Sequence, residues 1–465
     1  VSDIDDLQKE IEASTTWPLK REVTIRRRIR RFAAFRDADP VALRPADWDR
    51  DYEGKGRPYI VDPLAGRISG VWADMLFGEP PTFTAERDQE RLENLVREND
   101  LPTALQRAER ICSSEGEVWG RIVSDPGLPN AVIEWHSRCN VIPLWRSGKL
   151  VAVAFESVLA GDSEKEERYR YIELQGKGVV RNNLYRGTKD RLGTAVDLRQ
   201  RPETEQLKDV VSHGLPVLLA GRIVNELGLD PRVGISDYQA VDGMLVALNE
   251  ATTIGVENAR LTAKRRIVVP QRFLNEQGKF PAGADVIVST QEQVDPDRPG
   301  EGLAQIEWEF DAEALIAYTN DLVDKILTRR RVAPQLVGRN TEGAQTGPAL
   351  RARLLDSTLA ASGKGRHWDD ELPRLLSSAA LIENLSREQG GLGIGWSDPA
   401  QPPTVSRSSI LPEDENALSE RLAAEVNAEM LSRRSAIEER HPTWDEDRVT
   451  EELQRIEADA PPPIQ

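Results

Sequence analysis

The sequence is poor in the constellations that enzymatic chemistry needs. It has no GxxxxGK[ST] loop, no HExxH pair and no GxSxG elbow, which removes the common phosphate-loop, zinc-protease and serine-hydrolase designs. Its 2 cysteines, Cys112 and Cys139, form no CxxC pair and read as reduced core thiols. Among 4 histidines, His136 stands near Cys139 with Cys112 upstream but lacks a fourth zinc ligand at a workable spacing. His213 and His441 stand alone as loop or surface residues. No run of about 18 apolar residues offers a membrane span, and the N-terminus has no secretory pattern, so the chain reads as soluble and cytosolic, without a membrane partner. A basic excess is missing too: 61 Lys+Arg against 78 Asp+Glu leave a net charge of -17. That excludes a general nucleic-acid coat and confines any DNA contact to local sites.

Aromatic residues amount to only 5%, yet 10 of them are Trp. Trp48, Trp308 and Trp444, isolated among charges, suit core filling or pockets between subunits or domains. What the chain does have is length: 465 residues with 39% apolar content can bury substantial cores in about two to four domains.

Periodicity predicts a charged helix from Ile4 to about Phe35 bearing Arg26, Arg27, Arg28, Arg30 and Arg31, a solvated face or a contact for nucleic acid or an acidic neighbour. Pro40 to Tyr59 reads as irregular. A helix from about Pro63 to Leu76 ends at Phe77-Gly78-Glu79-Pro80-Pro81, and one or two helices follow over Asp88 to Ser113. Short strands are then expected at Glu117 to Ile122, Ala131 to Trp135, Val141 to Trp145, Leu150 to Val158, Tyr169 to Leu174, Gly178 to Leu184 and Leu215 to Leu219. These make an α+β body with an antiparallel sheet. A long helix, N-capped by Ser236, can run to about Arg266, roughly 45 Å at 1.5 Å per residue. Strands at Ile267 to Pro270 and Asp285 to Ser289 precede a second helix, Asp311 to Arg331. The Gly-rich loop Val332 to Gly347 leads to a third long helix from Pro348, with interruptions expected at Gly363, Gly365 and Pro373. One strand and two C-terminal helices, Glu413 to Ser432 and Asp445 to Ala460, close the chain.

Two stretches have residues that enzymatic sites use. Gly391-Leu392-Gly393-Ile394-Gly395 follows a helix and lacks the spacing of a dinucleotide loop. His367, Asp369, Asp370 and Glu371 read as a charged helix face, with metal-dependent DNA cleavage as the enzymatic alternative.

Four stretches, in order, resemble the portal proteins of tailed bacteriophages. They are Asp62-Pro63-Leu64-Ala65 through Met75-Leu76-Phe77-Gly78-Glu79-Pro80; Gly234-Ile235-Ser236-Asp237-Tyr238 with Asn249 and Glu257-Asn258; Thr346-Gly347-Pro348-Ala349-Leu350-Arg351; and Ser432-Arg433-Arg434-Ser435-Ala436-Ile437 with Asp445 and Glu451 to Glu457. Pro348 and Glu79 depart from the family pattern.

The resemblance implies a portal-protein fold: an α/β wing, a two-helix stem flanking a small β clip, a long wing helix and an α-helical crown. Mapped here, the wing is 1–235, the stem helices 236–266 and 311–331, the clip 267–310, the tunnel loop 332–347, the wing helix with its return strand 348–410 and the crown 411–465. It implies a homo-oligomeric ring of about twelve subunits at the capsid vertex of a virion, assembled in the host cytoplasm. Double-stranded DNA would pass through it during packaging and ejection. Partners would be the terminase large subunit, a head-tail adaptor, and the major capsid and scaffolding proteins. Neither enzymatic activity nor a cofactor is implied. The rival structural reading is another virion component, an adaptor or capsid protein.

A translocation channel should bind DNA weakly, since each neutralised phosphate adds affinity. The net charge of -17 per chain gives about 200 negative charges per ring, leaving a few cations to tune passage. Candidates are Lys264, Arg265 and Arg266 near the clip and Arg329, Arg330 and Arg331 at the stem end, the latter equally suited to helix-dipole compensation or subunit contacts. In the tunnel loop the candidates are Gln335, Arg339, Asn340, Thr341 and Gln345.

Overall fold

The computed structural model describes residues 2–48, 58–125, 127–160, 167–263, 266–270, 285–289, 304–306, 310–339, 347–392, 395–407, 415–428, 430–441, 444 and 446–458. The chain divides into two compact units, 1–341 with 359–407 and 342–358 with 408–465.

The first unit opens with two helices, α1 (Ser2–Glu12) and α2 (Lys20–Arg36), where one was expected. Pro18 accounts for the break, because it has no amide proton to give a continuing helix. A short α3 (Pro40–Leu43), N-capped by Asp39, lies in the stretch read as irregular. Next come α4 (Leu64–Phe77), β1 (Thr82–Thr84), α5 (Gln89–Glu98) and α6 (Leu101–Glu115). The strands β2 (Glu117–Val123) and β3 (Val132–Ser137) lead into an antiparallel run of β4 (Val141–Arg146), β5 (Lys149–Leu159), β6 (Arg168–Gly176), β7 (Val179–Thr188) and β8 (Arg191–Val196). β9 (Val210–Ser212) also pairs with β7.

β5 is nearly continuously apolar because both of its faces are covered. Ala152 and Ala154 face α1 through Ile4, Leu7 and Ile11, whereas Val153 and Phe155 pack with Trp119 and Ala220. A Cβ on Gly176 would stand 2.7 Å from Ile4 Cγ1, so α1 approaches the sheet where a side chain is missing.

The strand expected at Leu215 to Leu219 lies further on, as β10 (Ala220–Val224), antiparallel to β2. Pro216 offers no ladder donor, whereas Ala220–Val224 finds a full register with Gly221 opposite Gly120.

The helix predicted from Ser236 starts later, as α7 (Asp242–Ala263). Ser236 does not cap it. Its hydroxyl donates to the Ser114 carbonyl and accepts from the Tyr238 amide, both buried, while the Tyr238 hydroxyl donates to the Ala65 carbonyl at 2.8 Å. Residues 236–238 are therefore committed to the core before the helix begins. α7 is tied to the chain before α4 by Asn249 Oδ1, which accepts from the Asp62 amide at 2.9 Å.

A three-stranded sheet of order β12-β11-β13 follows, made of β11 (Arg266–Pro270), β12 (Asp285–Ser289) and β13 (Ala304–Ile306). β13 had not been expected. Then come α8 (Ala312–Arg329), N-capped by Asp311, and α9 (Gly347–Glu388). α9 is one 42-residue helix, without the expected interruptions at Gly363, Gly365 and Pro373. Gly365 is a packing site: a Cβ there would come within 2.3 Å of the Arg407 guanidinium. Leu372, Leu375 and Leu376 are buried around Pro373, and this packing outweighs the local cost of the proline. β14 (Thr404–Ser406) pairs with β1.

In the second unit, three helices stand where two were expected: α10 (Glu415–Asn427), α11 (Arg433–Arg440) and α12 (Glu446–Ala458). Ser432, read as the end of one helix, instead caps the next, its hydroxyl accepting from the Ser435 amide at 3.0 Å. Trp444 stacks on His441 at 3.9 Å, Trp48 meets Tyr59 edge-on at 5.0 Å, and Trp308 lies outside the described residues.

Candidate functional site

The return of α8 to the body carries an unusual concentration of charge. The helix ends in a Schellman motif, with the Arg331 amide bonded to the Thr328 carbonyl at 3.1 Å and the Val332 amide to the Leu327 carbonyl at 3.0 Å. Val332 and Leu327 are both buried, supplying the apolar contact the motif favours. The motif needs a left-handed residue, and here it is not glycine but Arg331, at φ 58°.

One residue earlier, Arg330 turns inward. Its Nη2 donates to Asp237 Oδ1 at 2.6 Å. Asp237 is 0% exposed and also accepts from Lys364 Nζ of α9, at 3.0 Å on Oδ1 and 2.8 Å on Oδ2, and from Ser113 Oγ of α6 at 2.7 Å. Lys364 donates further to Asn225, just after β10, and sits 5.0 Å from the centre of the Trp72 ring of α4. Burial alone would raise the Asp237 carboxyl, but Lys364 and Arg330 outweigh it and hold it below the ordinary range. α6, the end of α8 and the middle of α9 thus bond one ionised carboxylate, and α4 and the residue after β10 reach it through Lys364.

Glu109 of α6 forms a second layer, fully buried and accepting from Trp368 Nε1 at 2.7 Å. Burial pushes its carboxyl up to about 7, against the opposing pull of Lys364. The same burial raises the Cys112 thiol one turn on, as suits an inert core cysteine.

The expected cations fall differently. Arg330 is engaged with Asp237 and, at 3.6 Å, with Glu226. Arg329 is the last residue of α8 and Arg331 its left-handed successor. Gln335 lies in a 3₁₀ turn, Pro334–Val337. Arg339 folds back on α8, pairing with Asp324 at 3.0 Å and donating to Asn320 Oδ1 at 2.8 Å. Arg266 opens β11. Lys264, Arg265, Asn340, Thr341 and Gln345 lie outside the described residues.

Asp237 entered the sequence reading only within the stretch Gly234 to Tyr238, with no role of its own, and Lys364 and Glu109 were not singled out. A signal existed for Lys364, a charged residue amid small ones four residues before Trp368, on the stripe that becomes the buried face of α9.

The acidic cluster on α9 is otherwise occupied: Asp369 pairs with Arg407 at 2.7 Å and Glu371 with Arg374 at 3.5 Å. Among the described residues, no group of three His, Cys, Asp or Glu side chains is placed to hold a metal ion. His136 contacts Glu134 at 3.1 Å. His213, read as a loop or surface residue, lies in the loop after β9 and is buried there, its amide donating to the Gly178 carbonyl and its Nδ1 accepting from the Leu215 amide.

A family model described as phage portal protein, SPP1 Gp6-like, matches residues 47–461. Among solved structures, the chain is similar at 14% identity to one from the neck of a native GTA particle computed with C12 symmetry, over 87% of this chain and 97% of that one, with a TM-score of 0.40. For the neck of an empty GTA particle computed with C6 symmetry the values are 14%, 84%, 93% and 0.42, and for the virion of a native gene transfer agent particle 13%, 86%, 97% and 0.42. No curated protein matches the chain.

Proposed function

Because the chain belongs to the SPP1 Gp6-like family of phage portal proteins, we propose that it assembles into a ring of about twelve copies around a channel for double-stranded DNA. The ring sits at the capsid vertex of a virion, after assembly in the host cytoplasm, and serves packaging and ejection. It docks the terminase large subunit and a head-tail adaptor, within a shell of capsid and scaffolding proteins. Its role is structural. In this reading α7 and α8 are the stem, β11 to β13 the clip, 332–347 the tunnel loop, α9 the wing helix and α10 to α12 the crown.

The observation that carries the ring is the burial pattern of the stem helices. Val241, just ahead of α7, and Leu245, Leu248 and Ala251 in its first half are buried, but Ile254 is 42% and Val256 40% exposed in its second. α8 mirrors this, exposing Ile316 at 59% and Tyr318 at 49% before burying Leu322, Ile326 and Leu327. The two helices pack closely where Gly255 meets Leu315, yet among the described residues Ile254, Val256, Ile316 and Tyr318 remain exposed. A second copy of the chain on either side covers them.

The test is negative-stain electron microscopy of the purified full chain, with native mass as a check. Rings with a central hole support the proposal. A monomer that stays single when scaffolding protein is added sinks it.

A further inference from the structure

We infer that Asp237 is a positioning residue for the segment after α8, holding residues 330–339 to the body through Arg330 and sharing that hold with α9 through Lys364. The inference deepens the reading of 332–347 as a DNA-facing loop and rests on it for its functional consequence.

The segment is fastened at both ends. At one, Arg330 reaches Asp237 at 2.6 Å; at the other, Arg339 returns to Asp324 at 3.0 Å and Asn320 at 2.8 Å on α8 itself. Between them the backbone is ordered by its own bonds, from Leu336 to Ala333, Gly338 to Gln335 and Arg339 to Pro334, at 3.0 to 3.1 Å. The fastening at Asp237 reaches beyond α8, beside the packing of residues 334–337 against α4 and the approach of Arg330 to Glu226 at 3.6 Å. It is the one that runs through a charge-assisted bond to a carboxylate that Lys364 of α9 also grips. Arg330 and Lys364 both bias one buried group, which couples the segment to α9.

The charge balance shows which arm can be removed. Asp237 faces two cations, so without Arg330 it keeps a one-to-one pair with Lys364, still bonded to Ser113 and Asn225 through that pair. Without Asp237, both cations are left buried with no carboxylate between them. Arg330→Gln is thus the variant that cuts the tether while leaving the core balanced, and Arg330→Lys restores the charge.

The experiment is hydrogen exchange by mass spectrometry on the full chain, comparing wild type, Arg330→Gln and Arg330→Lys, with DNA packaging measured on the same variants. The amides of Val332, Leu336, Gly338 and Arg339 report on the segment. In Arg330→Gln they should exchange about tenfold faster, with β5 to β7 unchanged, and Arg330→Lys should recover most of the protection. Unchanged exchange at these amides overturns the inference. So does a uniform rise over the whole chain, which would make Arg330 general support for the fold. If the segment loosens as expected but packaging stays at the wild-type level, the tether stands and the DNA-facing reading falls. If packaging is lost with exchange unaltered, the tether is overturned and that reading is untouched.

Discussion

Arg330 Nη2 meets Asp237 Oδ1 at 2.6 Å across 93 residues of chain. α7, β11 to β13 and α8 lie between them in the chain, and the bond joins the residues just before α7 to those just after α8.

The carboxylate is therefore expected to be costly to neutralise. Asp237→Asn leaves Lys364 and Arg330 facing a neutral amide in a buried site, and should destabilise the first unit by about 3–5 kcal/mol. The denaturant midpoint of the full chain reads this. A loss under about 1 kcal/mol would mean that both cations escape to water.

Glu109 makes the fold sensitive to pH in the opposite sense from an ordinary ion-paired carboxylate. Its folded value of about 7 lies above the ordinary 4.5, so the folded state binds its proton more tightly than the unfolded state does. Its favourable contribution is present below the ordinary value and is lost as pH rises to about 7, up to about 3 kcal/mol in all. Glu109→Gln keeps an acceptor for Trp368 and removes the titration. It should be more stable than wild type near pH 8 and converge on it near pH 4, as thermal midpoints across that range would record.

Gly221 and Gly120 lie opposite one another on β10 and β2, making a hollow that Leu375 of α9 fills. A Cβ on Gly221 would stand 2.8 Å from Leu375 Cγ and 2.7 Å from Glu371 Oε1. Gly221→Val should cost about 1–3 kcal/mol, and adding Leu375→Ala should recover part of it, a coupling that a double-mutant cycle measures.

At Arg331 the left-handed backbone decides which side chains are tolerated. Arg331→Val should lose about 1 kcal/mol more than Arg331→Gly in chemical denaturation. Equal losses for both would show that the arginine side chain, rather than the backbone, matters there.

The exposed stem residues separate folding from assembly. Ile316→Asp should keep thermal stability within about 0.5 kcal/mol of wild type, because the side chain is already solvated in one chain. Ring formation should fail, as sedimentation velocity would detect. Rings that still form would move the subunit contact away from this face of α8.

The elements that local rules govern were legible. Alternating or apolar runs marked β5 and β6, Asp311 marked the start of α8, and the turn after Phe77 marked the end of α4. Legibility stopped where one local signal competed with a distant partner. Ser236 has the residue type and position of an N-cap, yet Ser114 and Tyr238 claim its hydroxyl. Gly363, Gly365 and Pro373 weaken a helix locally, but Arg407 and the leucines around Pro373 keep α9 whole. Arg330 and Arg331 look alike in the sequence; one is drawn into a buried ion cluster and the other terminates a helix.

The order of secondary structure, the acidity and the family likeness were all determined by the sequence by itself, because helix and strand periods and turn chemistry act over a few residues. The convergence on Asp237 was decided only by the tertiary structure. A buried carboxylate is stable only where cations from remote segments arrive together, and the positions of α8, α9 and the end of β10 follow from packing that no short stretch of chain encodes.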